Sequence, residues 1–326
     1  MRPLISLLTA AALLVVPTIP VQAQTQSGIT EVVVHARKLD WSDLTEVVIR
    51  AKVPGPAMWK LTRGNSTIWV LGVLEEAPLD LKWDDRRLKR TLDGARYLIA
   101  PGEARYNEDN EKTYHRASML PPVQSLKDVV SSTTYLRFQQ TVDSQGGLTV
   151  DKYAHYIPER AGAEMYEDVL LHSGIGTDVD QVPQVKAMAG TGTEIRDAFR
   201  FDGDMTGREL LRLTPAQNEA CLNAYLDAVD FDRDTLPRMA HAWASGDLPT
   251  VLHLYQDSPA LTCDLMTPDW AAYEQTAMTD MTRTIEETLK KPGKSVAVMT
   301  ISQLLRKGGV LDQLHADGVD VTSPPI

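Results

Sequence analysis

Three carboxylates stand just past short apolar runs: Glu75 and Glu76 after Thr67–Leu71, and Glu103 after Tyr97–Ala100. Acidic oxygens at strand ends are the donor set of hard cations, so the three together could hold Mg²⁺, Ca²⁺ or Mn²⁺. The plainer reading is three solvated side chains at loop ends, and on the residues alone it is the better supported. The seven histidines, at positions 35, 115, 155, 172, 241, 253 and 315, make no His-Glu-x-x-His motif and no i, i+4 pair. A helix-borne zinc site is thereby excluded. His241 and His253, the closest two, read as surface or packing residues. No Gly-x-Ser-x-Gly, Walker or Gly-x-Gly-x-x-Gly pattern follows a strand. Gly190-Thr191-Gly192-Thr193 follows a helical run and reads as its stop signal.

The other residues with a chemistry of their own are Cys221 and Cys263, the only two cysteines. Their meaning depends on compartment. Arg2, the apolar run Leu4–Val16 and the small-residue site Val21-Gln22-Ala23 read as a secretory signal peptide over residues 1–23. The run is too short, and too soon interrupted by Pro17 and Pro20, for a stable membrane span. No later stretch is apolar enough to cross a bilayer. An exported protein, periplasmic or secreted, would oxidise the two thiols to a disulfide; the alternative is two buried free thiols. A formal net charge of −11 argues against nucleic acid and anionic membrane as partners. Apolar and charged fractions of 43% and 24% are those of an ordinary globular chain.

The elements that must position these groups begin at Pro54. Met58–Leu61 and Thr67–Leu71 flank Arg63-Gly64-Asn65-Ser66, where Gly64 and Asn65 tolerate positive φ; the pattern predicts a β-hairpin. The second strand stops at Gly72, whose backbone can approach another backbone or a ligand closely, and Glu75 and Glu76 lie at its mouth. A helix is expected over Trp83–Gly94, a short buried strand at Tyr97–Ala100, and a polar loop over Glu103–Ser118. Helices then dominate: 131–144, 158–173, 179–189, 214–230, 233–245, 247–256 and 267–290. Thr214-Pro215-Ala216-Gln217 is a capping box, and Thr267-Pro268-Asp269 repeats the cap. Ser295–Met299 reads as a continuous apolar strand, Val310–Ala316 as a short helix, and Gly318–Val321 as a last strand. Strands at both ends and helices between them predict an α/β (α+β) domain over residues 54–326. Its single sheet is built from N- and C-terminal strands and covered by the helical middle. Residues 24–53 carry a repeat, Thr30-Glu31-Val32-Val33-Val34 returning as Thr45-Glu46-Val47-Val48-Ile49, and read as a Val-rich, partly disordered arm. Its first copy resembles a run near the start of the plug of TonB-dependent receptors.

Pro56-Ala57-Met58-Trp59-Lys60, the hairpin and the strand ending at Gly72 resemble the opening of the TraB/GumN family, whose animal members include the Tiki proteases. Trp243-Ala244-Ser245-Gly246-Asp247 is similar to that family's Trp-x-x-Gly-Asp junction, and the segment from Val296 to Val321 to its closing β-α-β unit. The resemblance implies a ChaN-like fold and, in catalytic members, a divalent metal held by two Gly-x-x-His motifs, an acid and an Arg-Asn pair. Here the first histidine position is Glu75, the acid position falls near Pro101, the Arg-Asn positions near Ala277-Met278, and the second histidine position is Ser302. The resemblance therefore implies a degenerate metal-hydrolase site, with Glu75 and Ser302 brought to one rim and Glu76 and Glu103 nearby. The expectation is an exported, non-catalytic binding or scaffold module with no cofactor and a protein or peptide partner in the cell envelope. The alternative is a metal-dependent hydrolase, a peptidase, using carboxylates in place of the histidines.

Overall fold

A computed structural model describes residues 54–102, 108–176, 181–200, 210–256, 261–264 and 268–324, with single positions between them. The signal segment, the Val-rich arm and Glu103 lie outside the described residues. The strands are β1 (Met58–Arg63), β2 (Ser66–Val73), β3 (Ala77–Pro78), β4 (Tyr97–Ala100), β5 (Ile175–Gly176), β6 (Glu194–Asp197), β7 (Gly293–Thr300) and β8 (Asp320–Thr322). The helices are α1 (Arg86–Leu92), α2 (Glu108–Ser118), α3 (Leu126–Val129), α4 (Ser132–Asp143), α5 (Pro158–His172) and α6 (Gln181–Met188). They continue with α7 (Pro215–Ser245), α8 (Leu248–Gln256), α9 (Leu261–Asp264), α10 (Pro268–Leu289), α11 (Ile301–Leu305) and α12 (Val310–Ala316).

Gly64, at φ 56°, turns the chain between β1 and β2, with Arg63 opposite Ser66 across a two-residue loop. β2 then pairs in parallel with β7 over its whole length, from Ser66–Gly293 to Val73–Thr300. The six-stranded sheet runs β6-β4-β7-β2-β1-β8, parallel from β6 to β2 and antiparallel at β1 and β8. Val296, Ala297, Val298 and Met299 are fully buried, which is what a central parallel strand covered on both faces requires. The middle of the chain supplies the cover, and strands from both ends of the sequence meet in one sheet. The fold is mixed α/β, with helices around a central mixed sheet.

Several short elements (β3, β5, α3, α9 and α11) were not expected from the sequence, and four larger differences have a physical reason. The supposed loop 103–118 contains α2; its residues are too polar to show apolar periodicity, but Glu108, Asp109 and Glu111 in the first turn and His115 and Arg116 in the last complement the helix dipole. The two helices expected over 214–230 and 233–245 are one, α7, with Pro237 inside it. No glycine interrupts the stretch, and burial of Val229, Leu236, Met239, Ala240 and Trp243 outweighs one lost backbone bond. α1 begins at Arg86, because the Asp84 carboxylate takes the Arg86 N–H and holds the preceding turn open. β6, a polar edge strand of mostly exposed residues, carries no alternation that would reveal it.

Cys221 on α7 and Cys263 on α9 are bonded, with Cα atoms 4.9 Å apart and a sequence separation of 42. Among the described residues, no helix is long and apolar enough to cross a membrane.

Candidate functional site at the ends of β2 and β7

The register that sets Val73 opposite Thr300 delivers both strand ends to one rim, so Glu75 and Ser302 lie two residues beyond paired positions. At Gly72 a Cβ would fall 2.8 Å from Ile301 Cγ1 and 3.2 Å from Leu304 Cδ2, so the glycine lets α11 sit directly over β2. The Gly72 carbonyl also accepts the Trp243 indole N–H at 2.7 Å, fixing the end of α7 on the same strand. Gly246 then ends α7 in the left-handed conformation, and Asp247 caps α8 through Thr250 N and Oγ1 at 3.3 and 2.9 Å. This junction aims α8 so that Tyr255, in its last turn, reaches Glu75.

Glu75 is the centre of the cluster. Tyr255 and Thr300 hydrogen-bond its carboxyl, Ser302 hydrogen-bonds Tyr255, and Thr300 Oγ1 lies 3.0 Å from Ser302 Oγ. The four side chains thus form a closed ring of hydroxyls around one carboxyl. Glu274 from α10 approaches from the other side. It takes a hydrogen bond from Arg306 Nη2 at 2.7 Å and lies 3.5 Å from Gln303 Nε2, while Arg306 Nε donates to the Ser302 carbonyl at 3.2 Å. The Glu274–Arg306 pair is largely buried, with side-chain exposures of 16% and 21%.

Burial, and then repulsion from Glu274, raise the Glu75 carboxyl to about 7; Arg306 and the hydroxyl donors only partly offset this. The Glu75 residue as a whole is nevertheless exposed, so the strand end lies at the surface while its carboxyl is turned in among protein groups. Burial and the charges of Glu75 and Glu76 hold Tyr255 well above the usual phenol range, so it is a neutral hydrogen-bond donor. Glu76 also faces Tyr166, whose hydroxyl donates to buried Asp232 at 3.0 Å. Behind the strand end, Gln181 Oε1 accepts the Leu74 N–H at 3.0 Å and steadies the residue next to Glu75.

Of the residues singled out in the sequence, Glu75, Glu76 and Ser302 meet here, and Glu103 lies outside the described residues. Tyr255, Glu274, Thr300 and Arg306 are the members that sequence reasoning passed over. Glu274 had a signal: it shares a helical stripe with buried Ala277, Met278 and Met281, and a glutamate on an apolar stripe needs a partner. His155, His172 and His241 instead meet backbone carbonyls of Gln124, Asp168 and Pro237.

The TraB/PrgY/gumN family model matches residues 57–323, the whole span from β1 to β8. The chain belongs to the TraB/PrgY/gumN family. No curated protein and no solved structure matches it. The metal implied for catalytic TraB/PrgY/gumN members does not fit these residues. A borderline transition metal favours imidazole or thiolate, and the positions hold a carboxyl and hydroxyls. Of the two carboxylates, one is engaged by Arg306, a cation built into the chain. Among the described residues, no group of three or more His, Cys, Asp or Glu side chains is placed to hold a metal.

Proposed function

We propose that this TraB/PrgY/gumN chain is an exported binding module. Its cleft at the ends of β2 and β7 takes a protein or peptide partner of the cell envelope through hydrogen bonds and charge, without metal-activated water. The observation that carries this reading is the Arg306–Glu274 pair beside Glu75, where catalytic relatives would place metal ligands. A carboxyl ringed by Tyr255, Thr300 and Ser302 at a surface strand end offers donors and acceptors suited to amide groups. Export is supported by the leader-like first 23 residues and the Cys221–Cys263 bond.

Metal analysis tests the reading directly. Mature protein dialysed against buffer containing Zn²⁺, Mn²⁺ or Co²⁺ and then washed should retain far less than one equivalent, and Glu75→Ala should not change that content. Stoichiometric metal lost in Glu75→Ala would instead establish the second reading, a metal-dependent hydrolase that uses carboxylates. One observation favours that alternative: Glu75 and Glu274 repel each other, and a divalent cation between them would relieve the repulsion.

A further inference from the structure

In the described sheet β6 is a border strand, paired with β4 on one side only. Glu194, Ile195 and Asp197 on it are exposed, Ile195 by 45%. Two bonds fix which way its backbone groups point. The Glu194 N–H goes to the Arg96 carbonyl at 3.0 Å and the Ala198 N–H to the Ala100 carbonyl at 2.8 Å. Sides alternate along a strand, so residues 194, 196 and 198 face β4, while Ile195 and Asp197 aim N–H and C=O away from the sheet. Thr193 shares their side, but its N–H turns back to the Gly190 carbonyl at 2.9 Å. Native edges are commonly kept from pairing by charge, and a run of one sign would do that here. β6 instead carries opposite signs, Glu194 and Arg196, on either side of one apolar residue. Those two share one face of the sheet, where Arg196 lies 3.5 Å over the Tyr97 ring, and Ile195 takes the other.

We propose that the β6 edge is a dimer interface, pairing antiparallel with β6 of a second copy of this chain about a twofold axis at Ile195. On that axis Ile195 stands opposite its own counterpart, and the two exchange both backbone bonds, N–H to C=O in each direction. The next positions out are non-hydrogen-bonded pairs, whose side chains come closest, and there Glu194 of each copy meets Arg196 of the other. One step further, the Asp197 N–H reaches the Thr193 carbonyl of the other copy, while the Asp197 carboxylate stays with Arg200 of its own chain at 2.5 Å. The neighbouring registers with the same backbone directions would set Arg196 against Arg196 or Glu194 against Glu194, like charge against like. A foreign strand has no reason to share this symmetry, so a second copy is the partner that fits. The contact joins few residues, fewer than a permanent dimer uses, so the dimer is reversible and its population follows concentration. Antiparallel pairing turns the copies end for end, and their two Glu75 clefts then open at opposite ends of the joined sheet.

Sedimentation velocity of the full mature protein, at rising concentration, should show a monomer–dimer equilibrium. Glu194→Arg should weaken it roughly tenfold, because both charge pairs become Arg against Arg, and Arg196→Glu should do the same with Glu against Glu. Mixed in equal amounts, the two variants should recover the wild-type dimer, since every pair between them again opposes an acid and a base. An interface elsewhere on the molecule would show no such recovery. Ile195→Pro removes only an N–H that points away from β4, so it should abolish the dimer and leave the melting temperature nearly unchanged. The mixing experiment decides the matter even if that variant fails to fold. Deleting residues 24–53 should leave the dimer intact. A protein that stays monomeric up to about 1 mM, the weak end of specific association, would overturn the assignment. So would a dimer that persists in folded Ile195→Pro, or no recovery on mixing. Loss of the dimer on deletion would overturn it too, and would give the interface to the Val-rich segment.

Discussion

A carboxyl surrounded by protein responds to pH in a direction that can be worked out. Glu75 holds its proton to about 7 in the folded chain, against 4.5 for an unperturbed glutamate. The folded state therefore binds that proton more tightly than the unfolded one, and stability falls as pH rises from 4.5 through about 7. Glu75→Gln should remove this part of the decline, seen as a flatter melting temperature across that interval; an unchanged profile would mean solvent screens the group. Glu159, at the start of α5, is a second and separate case. Burial raises its carboxyl to about 7, Arg160 only partly offsets this, and its Oε2 has no hydrogen-bond partner. Glu159→Gln should leave stability at acid pH nearly unchanged and raise it above pH 7, by up to roughly 3 kcal/mol. Denaturant midpoints on both sides of neutrality would show it, and loss of stability in alkali would refute it. Neither value was legible in the sequence, because each is set by neighbours far away along the chain. Position after a strand end marked Glu75, and the family resemblance marked Ser302; the identity of Tyr255, Glu274 and Arg306 as their companions depends on three helices converging.

At the scale of elements, local chemistry was readable wherever a residue type leaves little choice. Gly64 turned the hairpin, Thr214 with Gln217 capped α7 through a capping box, and Pro158 and Pro215 opened helices. α2 and β6 were not readable, since both are polar and only tertiary context decides their state. The disulfide belongs to this scale. Cys263 lies eight residues after Tyr255 and eleven before Glu274, so the bond to α7 ties down the segment between two members of the cleft. Closing 42 residues should stabilise the folded chain by roughly 4 kcal/mol on a chain-entropy argument. Protein recovered from an oxidising compartment should show no free thiol when titrated under denaturing conditions, and Cys221→Ser with Cys263→Ser should lower the melting temperature. Two titratable thiols in the wild-type protein would remove both the staple and one support for export.

At the scale of the molecule, all six strands of the described sheet lie after Pro54. β1, the first described strand, already has β2 on one side and β8 on the other, and its pairing with β8 runs from Lys60–Thr322 to Thr62–Asp320. The buried apolar cluster extends from Met58 to Val319 and draws on strands and helices throughout that range. Terminal segments stay dispensable unless their backbone groups pair with the rest or their side chains enter the core. Deleting residues 24–53 from the mature chain should therefore leave the melting temperature within a few degrees of the undeleted protein. The Val-rich repeat has a composition suited to strands, and among the described residues β6 and β8 are each paired in the sheet on one side only. A large drop in melting temperature on deletion would mean that the repeat adds a strand to one of those edges, and the domain would then begin near Thr30 and not at Pro54.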